Sequence, residues 1–264
     1  MKYQALRLAV ADGVARITFD RPQAANALDL TLARELEDAA NRCSGDPGVR
    51  CVLLAGSGDF FCAGGDVVGF AGRGEGLPAH LSELATHLHV AISRLARMRA
   101  PVVAAVHGAA AGAGFSLACA SDLVLAAESA RFVMAYTGIG LSPDGSGTYF
   151  LPRLVGLRRA MELALTNRRL SAREALEWGI VTRVVPDADL AAEAGVLAAG
   201  LAAGPTAAFG RTKRLLQGSF TESLETQMEL ELRALVAGAR TADAREGIAA
   251  FVAKRRPEFT GRDD

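Results

Sequence analysis

Twice in this chain an uncharged aliphatic run gives way to glycine and alanine and then to a helical pattern, and no other feature constrains the fold as much. The first copy is Val52-Leu53-Leu54-Ala55 leading into Phe61-Cys62-Ala63-Gly64-Gly65-Asp66. The second is Val102–Val106 leading into Gly112-Ala113-Gly114-Phe115. A short apolar run without alternation marks a strand covered on both faces, as in a parallel sheet flanked by helices. Glycine and alanine at the turn let backbone N–H groups approach a ligand, and the following helix N-terminus adds partial positive charge. Two such loops converging make an anion clamp, for a phosphate or for an oxyanion; the alternative is that the glycines only let helices pack on strands. Neither G-x-x-x-x-G-K-[ST] nor a nucleotide-binding G-x-G-x-x-G is present.

The rest of the chain extends the same alternation. Residues 5–11 and 14–20 read as strands joined by a tight turn at Asp12-Gly13. A helix capped by Asp29 or Thr31 carries Leu32, Leu36, Ala39 and Ala40 at helical spacing as far as Cys43. Strands are expected at 49–55, 102–106 and 123–126, an irregular glycine-rich segment at 60–76, a helix at 80–98, a turn at 108–114 and a helix at 115–120. A strand and loop at 132–142 lead to a helix from about Thr148. Ser171 with Glu174 makes a capping box, and a short strand is expected at 180–185. Helices follow at 190–201, 206–216 and 223–239, interrupted at Pro205. The pattern predicts an α/β fold with parallel strands in one domain, a core over 1–200 and a helical region over 201–264.

Composition narrows the partners. The 264 residues are 50% hydrophobic, and Lys+Arg and Asp+Glu are both 29, so no global field attracts nucleic acid or an anionic membrane. The one dense basic cluster, Lys254-Arg255-Arg256, reads either as a phosphate contact or as a solvated helix end. Residues 100–121 carry no Asp, Glu, Lys or Arg and are long enough for a membrane span. Pro101, His107, Gly108, Gly112, Gly114 and Ser116 interrupt them, which favours a buried strand, a turn and a buried helix. Cys43, Cys51, Cys62 and Cys119 show no metal-ligand spacing, and Arg7 stands where a secretory signal needs an apolar run. Reduced thiols, no metal and a cytoplasmic location are the expectations.

Several segments taken in order resemble the crotonase family, whose members include enoyl-CoA hydratases and isomerases. They are Asp20-Arg21-Pro22 with Asn26-Ala27-Leu28, then Gly56-x-Gly58-x-x-Phe61 through Asp66, and Gly108 through Gly112-Ala113-Gly114 to Ser121-Asp122. Gly138-Ile139-Gly140-Leu141-Ser142-Pro143, Leu151-Pro152-Arg153-Leu154-Val155-Gly156, Ala175-x-x-x-Gly179-Ile180-Val181 and Glu246-Gly247 with Ala250-Phe251 complete the match. The resemblance implies a superhelix of β-β-α turns, a C-terminal helical region that builds homotrimers or dimers of trimers, and an acyl-CoA substrate. By position it puts the oxyanion-hole donors on the N–H groups of Gly65 and Ala113, the latter aided by its helix dipole. Ala24, Ala25, Ala63, Asp66 and Val67 match segments lining the coenzyme A site, and Lys254 a basic position that reaches phosphates, sometimes on a neighbouring subunit. No separate cofactor is implied.

The chain departs from the family where hydratases carry their two glutamates: those positions hold Ser116 and Tyr136, and neither is a carboxylate base. Asp144 stands instead where typical hydratases have glycine. Family members that isomerise dienoyl-CoA or ring-epoxide thioesters, and the 4-chlorobenzoyl-CoA dehalogenases, place a catalytic aspartate there. The stretch from Gly140 through Thr148 to Gly156 looks most like the phenylacetate-pathway epoxide isomerases. Asp144 is therefore expected as an acid/base for isomerisation, with enoyl-CoA hydration and acyl-CoA binding without catalysis as the alternatives. An isolated Pro-Asp-Gly would otherwise read as a turn or a helix cap. Tyr136 is either a wall of the acyl pocket or a hydrogen-bond donor to substrate. Dehalogenases pair their aspartate with a histidine and a tryptophan; His80, His87 and His89 read here as surface or core residues, and Trp178 lies in a packing motif. Phe60, Phe61 and Phe115 are expected in the core.

Overall fold

The computed structural model describes residues 3–263. The chain opens with a hairpin, β1 (Leu6–Ala11) and β2 (Val14–Phe19). Asp12 and Gly13 between them both have positive φ, 50° and 78°, the turn whose twist matches the flanking strands. The helix α1 (Leu30–Gly45) begins at Asp29, whose carboxylate accepts from the Leu32 N–H at 2.8 Å, and it buries Leu32, Leu36, Ala39, Ala40 and Cys43. Asp29, not Thr31, is the cap.

Three further passes follow one plan. Each puts a strand into a large sheet, then a strand or bridge into a small one, and then forms helices. In the first pass, β3 (Cys51–Gly56) is followed by an isolated parallel bridge from Cys62 to Ala110, then α2 (Val67–Ala71) and α3 (Leu77–Arg97). In the second, β4 (Val102–Val106) leads to β5 (Ala109–Ala111) and α4 (Ala113–Ala120). In the third, β6 (Leu123–Ala127) leads to β7 (Arg131–Val133), α5 (Gly147–Val155) and α6 (Leu157–Thr166). Next come β8 (Leu170–Ser171), α7 (Ala172–Glu177) and β9 (Arg183–Val185). The capping box is present, the Ser171 side chain accepting from Glu174 N–H and the Glu174 side chain accepting from Ser171 N–H. The six-stranded sheet has the order β1-β2-β3-β4-β6-β9, and the small sheet β5-β7-β8. From β2 to β9 the large-sheet neighbours are parallel.

This is the β-β-α superhelix. One apolar cluster runs through it from Ala5 to Ala202 and includes all of β4. The uncharged segment 100–121 is thus two strands and a buried helix, and among the described residues no single helix is long and apolar enough to cross a membrane. Three expectations need correction. Residues 60–76 contain α2, and the turn at 108–114 contains β5. Phe61 and Phe115 are fully buried, whereas Phe60 is 38% exposed, because in the turn after β3 the Phe61 ring takes the inward place against Phe19.

The last helices are α8 (Leu190–Ala202), α9 (Thr206–Gly218), α10 (Leu224–Ala239) and α11 (Ala242–Val252). Lys213 on α9 pairs with Asp122 at 2.5 Å and donates to Ala100 O at 3.1 Å. Arg50 donates to Gly204 O at 2.8 Å and Phe259 O at 2.9 Å, and buried Asp243 accepts from Thr260 and Gly261 N–H. These contacts fasten the tail to the core. Beyond them α10 buries no residue fully and exposes Leu224, Met228, Leu232 and Leu235. An apolar groove of about 850 Å³ lies between α9, α10 and α11.

Candidate active site

The two glycine loops meet. The Cys62 N–H donates to Ala109 O at 3.1 Å and the Ala111 N–H to Cys62 O at 3.0 Å, which zips the first loop onto β5. Gly64 has φ 93° and Gly112 φ 49°, conformations that only glycine adopts readily. A Cβ on Gly64 would lie 2.8 Å from Ala111 O and 3.4 Å from Gly112 Cα, so the main chains pack directly on each other. Gly65 and Ala113 follow these contacts. Among the described residues the N–H of each has no acceptor, although Gly64 O, Leu28 N–H, Leu28 O and Asp66 N–H on either side of Gly65 are paired. Ala113 opens α4, which no side chain caps, so its N–H also carries the helix's partial positive charge.

The turn that holds the first loop from behind contains Ala24 and Ala25. Ala25 O accepts from Ala63 N–H at 3.0 Å. Fully buried Asn26 accepts from Arg21 N–H and donates to Ser57 O and Phe60 O. Asp66 caps α2 through Gly69 N–H and pairs with Arg21 at 3.1 Å, so its carboxylate is already occupied. Val67 is 47% exposed beside it. Ala24 and Ala25 thus back the loop that carries Ala63, with Asp66 and Val67 following it at the start of α2. Lys254 does not join them: it stands exposed beyond the end of α11.

Asp144 sits in the loop before α5. The Tyr136 hydroxyl donates to Asp144 Oδ1 at 2.6 Å, and the hydroxyl of fully buried Ser116 donates to Asp144 O at 2.9 Å. The residues at the two glutamate positions therefore hold the aspartate, the side chain of one aiming its carboxylate and that of the other anchoring its backbone. Burial first, and then the adjacent Asp144 carboxylate, push the Tyr136 hydroxyl well above the usual tyrosine range, so it remains a donor. Met134 O and the Tyr136 ring lie 3.8 Å from where a Gly112 Cβ would stand, so Tyr136 stands near the second glycine loop.

His89 completes the group. Its Nε2 accepts from Gly145 N–H at 3.2 Å and lies 4.0 Å from Asp144 Oδ2. A surface or core role is the expectation for it, as for His80 and His87, and the contact with Asp144 corrects that. The usable signal was helical: His89 lies three residues before buried Ile92 and flanks the apolar stripe, whereas His87 is turned toward Glu37. His89 and Ser146 open into a cavity of about 650 Å³ between α3, α5 and α9. All four cysteines are buried and unpaired, and burial pushes the Cys62 thiol up to about 12, so none is a reactive thiol in this site.

The model of the enoyl-CoA hydratase/isomerase family matches residues 9–262. The chain belongs to this family. The crystal structure of an enoyl-CoA hydratase from Polaromonas sp. JS666 superposes with a TM-score of 0.92 at 34% identity, covering 97% of this chain and 100% of that one. The crotonase fold implied by the motifs is therefore the fold of this chain. A probable enoyl-CoA hydratase of Rhodobacter capsulatus is 43% identical over 262 residues, covering 99% of this chain and 100% of the relative. The 1,2-epoxyphenylacetyl-CoA isomerase of Escherichia coli is 42% identical over 257 residues, covering 96% and 97%. The two names differ in reaction, so the family by itself leaves the chemistry to the residues around Asp144.

Proposed function

We propose that this crotonase-family protein is an acyl-CoA isomerase in which Asp144 moves a proton on a thioester enolate. One observation supports the reading: the Tyr136 hydroxyl donates to the Asp144 carboxylate at 2.6 Å, so the one carboxylate of this loop is held in place by the residue that stands at a glutamate position, the other being Ser116. In this reading Asp144 takes a proton from the carbon α to the thioester. The C–H electron pair moves onto the carbonyl oxygen, which accepts from the N–H groups of Gly65 and Ala113. The protonated Asp144 then returns the proton at the γ carbon, turning a 3-enoyl into a 2-enoyl thioester at unchanged mass. A ring-epoxide acyl-CoA is the other substrate class, with the same carboxylate assisting ring opening. The surface around Ala24, Ala25, Ala63, Asp66 and Val67 receives the coenzyme A moiety. The apolar face of α10 and the groove beside it support assembly into a homotrimer or a dimer of trimers, in which Lys254 of a neighbouring subunit reaches the phosphates.

The test is to incubate the protein separately with 3-enoyl-CoA, 2-enoyl-CoA and a ring-epoxide acyl-CoA and to separate the products by mass and chromatography. Isomers at unchanged mass are expected. A gain or loss of water replaces this reading with hydration, and binding without turnover replaces it with a non-catalytic role.

His89 favours one second reading, hydrolytic dehalogenation. There Asp144 Oδ attacks the halogen-bearing ring carbon of an aryl-CoA and halide leaves. Water deprotonated by His89 then attacks the Asp144 ester carbonyl, freeing the hydroxyaryl product and restoring the carboxylate. Release of chloride from a chloroaryl-CoA would establish it in place of isomerisation.

A further inference from the structure

The cavity that opens at Ser146 and at His89, whose Nε2 is 4.0 Å from Asp144 Oδ2, is charged at its far end. Its wall on α3 is one helix face, His89, Ile92 and Ser93, then Ala96 and Arg97, so Arg97 lies about 12 Å further along the axis than His89. Opposite this wall, α9 is pinned to the same end of α3, because Lys213 donates to Ala100 O and Gln217 to Ala96 O, both at 3.1 Å. Arg214 lies between those two anchors and also lines the cavity. Both arginines therefore belong to the end remote from Asp144, with Tyr149 and Phe150 of α5 forming the apolar wall on the way.

Of the cations nearby in sequence, Arg99 and Arg211 pair with Asp263, and Lys213 with Asp122, while Arg94, unpaired among the described residues, lies outside the cavity lining. Arg97 and Arg214 line the cavity and are not neutralised either. Among the described residues neither has a carboxylate partner, and no Asp or Glu lines the cavity. Both side chains are exposed at the cavity, and an anion placed between them would accept charge-assisted hydrogen bonds from two planar forks.

We propose that Arg97 and Arg214 bind a carboxylate at the distal end of the acyl group, which makes the substrate a coenzyme A mono-thioester of an unsaturated dicarboxylic acid. The proposal rests on the reading that places the thioester at Gly65 and Ala113 and the reacting carbons at Asp144. The cavity of about 650 Å³ is within the usual range for a small-molecule site, and the apolar stretch before the arginines suits a carbon chain or ring between the two polar ends. Arg97 and Arg214 are specificity residues here; neither reaches the reacting carbons.

The experiment compares two unreactive coenzyme A thioethers of equal chain length, one ending in a carboxylate and one in its methyl ester, by calorimetry with the wild-type protein, Arg97→Gln and Arg214→Gln. Turnover of the matching 3-enoyl thioesters is measured alongside. The wild type should bind the carboxylate at least about tenfold more tightly, the fold-change of one charge-assisted hydrogen bond. Each variant should erase most of that preference and leave methyl-ester affinity unchanged. Equal wild-type affinity for the two thioethers overturns the proposal, as does an equal loss for both in the variants, the result expected if the arginines hold a coenzyme A phosphate. A carboxylate preference without any isomerisation upholds this proposal and defeats the isomerase reading; isomerisation of both thioesters without preference does the reverse.

Discussion

Replacing Gly64 by alanine tests whether contact between the glycine loops sets the position of the Gly65 N–H. Gly64 has φ 93°, and a Cβ there would lie 2.8 Å from Ala111 O and 3.4 Å from Gly112 Cα. Both obstacles are main-chain atoms, fixed by the Ala111 N–H to Cys62 O and Gly112 N–H to Val133 O hydrogen bonds, so no side chain can turn away to make room. The left-handed backbone costs an alanine about 1–2 kcal/mol and overpacking roughly 1–3 kcal/mol, a combined loss of about 2–5 kcal/mol. The least disruptive relief spreads the loops by a few tenths of an ångström and draws the Gly65 donor away from the thioester oxygen, for which one lost oxyanion donor implies about a 10²–10³-fold fall in kcat. Gly65→Ala is the control. Its Cβ would meet the far end of the Phe70 side chain at 2.8 Å, not main-chain atoms, and Gly65 does not have positive φ, so its stability loss should be the smaller. Urea unfolding of both variants, with product analysis on 3-enoyl-CoA, makes the comparison. Wild-type stability and turnover in Gly64→Ala would refute the argument.

Tyr136→Phe removes the hydroxyl that aims Asp144; a hydrogen bond to a charged group is worth about 1.5–3 kcal/mol, so kcat should fall roughly 10- to 100-fold with little change in KM, as steady-state kinetics will show. Lys213→Met strands the Asp122 carboxylate, whose side chain is 18% exposed, and should destabilise the protein by about 3–5 kcal/mol; adding Asp122→Asn should restore part of the loss in urea unfolding. Glu174 is held down to about 2 by Ser171 N–H, the Ser171 hydroxyl and Arg168, and Glu246 to about 2 by Arg255 and Glu258 N–H. Because these folded values lie below the usual 4.5, both carboxylates contribute stability that is complete above about pH 4.5 and is lost toward about pH 2. Glu174→Gln and Glu246→Gln should therefore lower the unfolding midpoint at pH 7, and the difference from wild type should shrink as pH falls through that window.

The strands and long helices were legible because their burial writes a pattern into the chain. Val102–Val106 is apolar because both faces are covered, and α1 reads as a helix because only one of its faces is. The glycine loops were legible for the converse reason, since direct main-chain contact excludes side chains. The short elements escaped. Ala109-Ala110-Ala111 has no β-branched residue to mark β5, and its pairing comes from distant partners, Cys62 and β7. Val67-Val68-Gly69-Phe70-Ala71 is one turn and a half that depends on the Asp66 cap and on packing of Phe70. Asp144 could be found by its position in the motif, but not its partners. The Tyr136 and Ser116 contacts join two elements across the loop, and His89 reaches Gly145 from a helix more than fifty residues earlier in the chain. The unpaired state of Arg97 and Arg214 was equally invisible, because it is a property of where Asp122 and Asp263 lie.

The most direct measurement of the central claim is exchange of the α-hydrogen of a saturated acyl-CoA with deuterium oxide, followed by mass spectrometry for the wild type, Asp144→Asn and Tyr136→Phe, with coenzyme A affinity measured on the same samples. Enolate formation at the paired N–H groups with Asp144 as the base predicts exchange in the wild type, slower exchange in Tyr136→Phe, and none above the uncatalysed rate in Asp144→Asn at unchanged affinity. Exchange at the wild-type rate in Asp144→Asn would contradict the account.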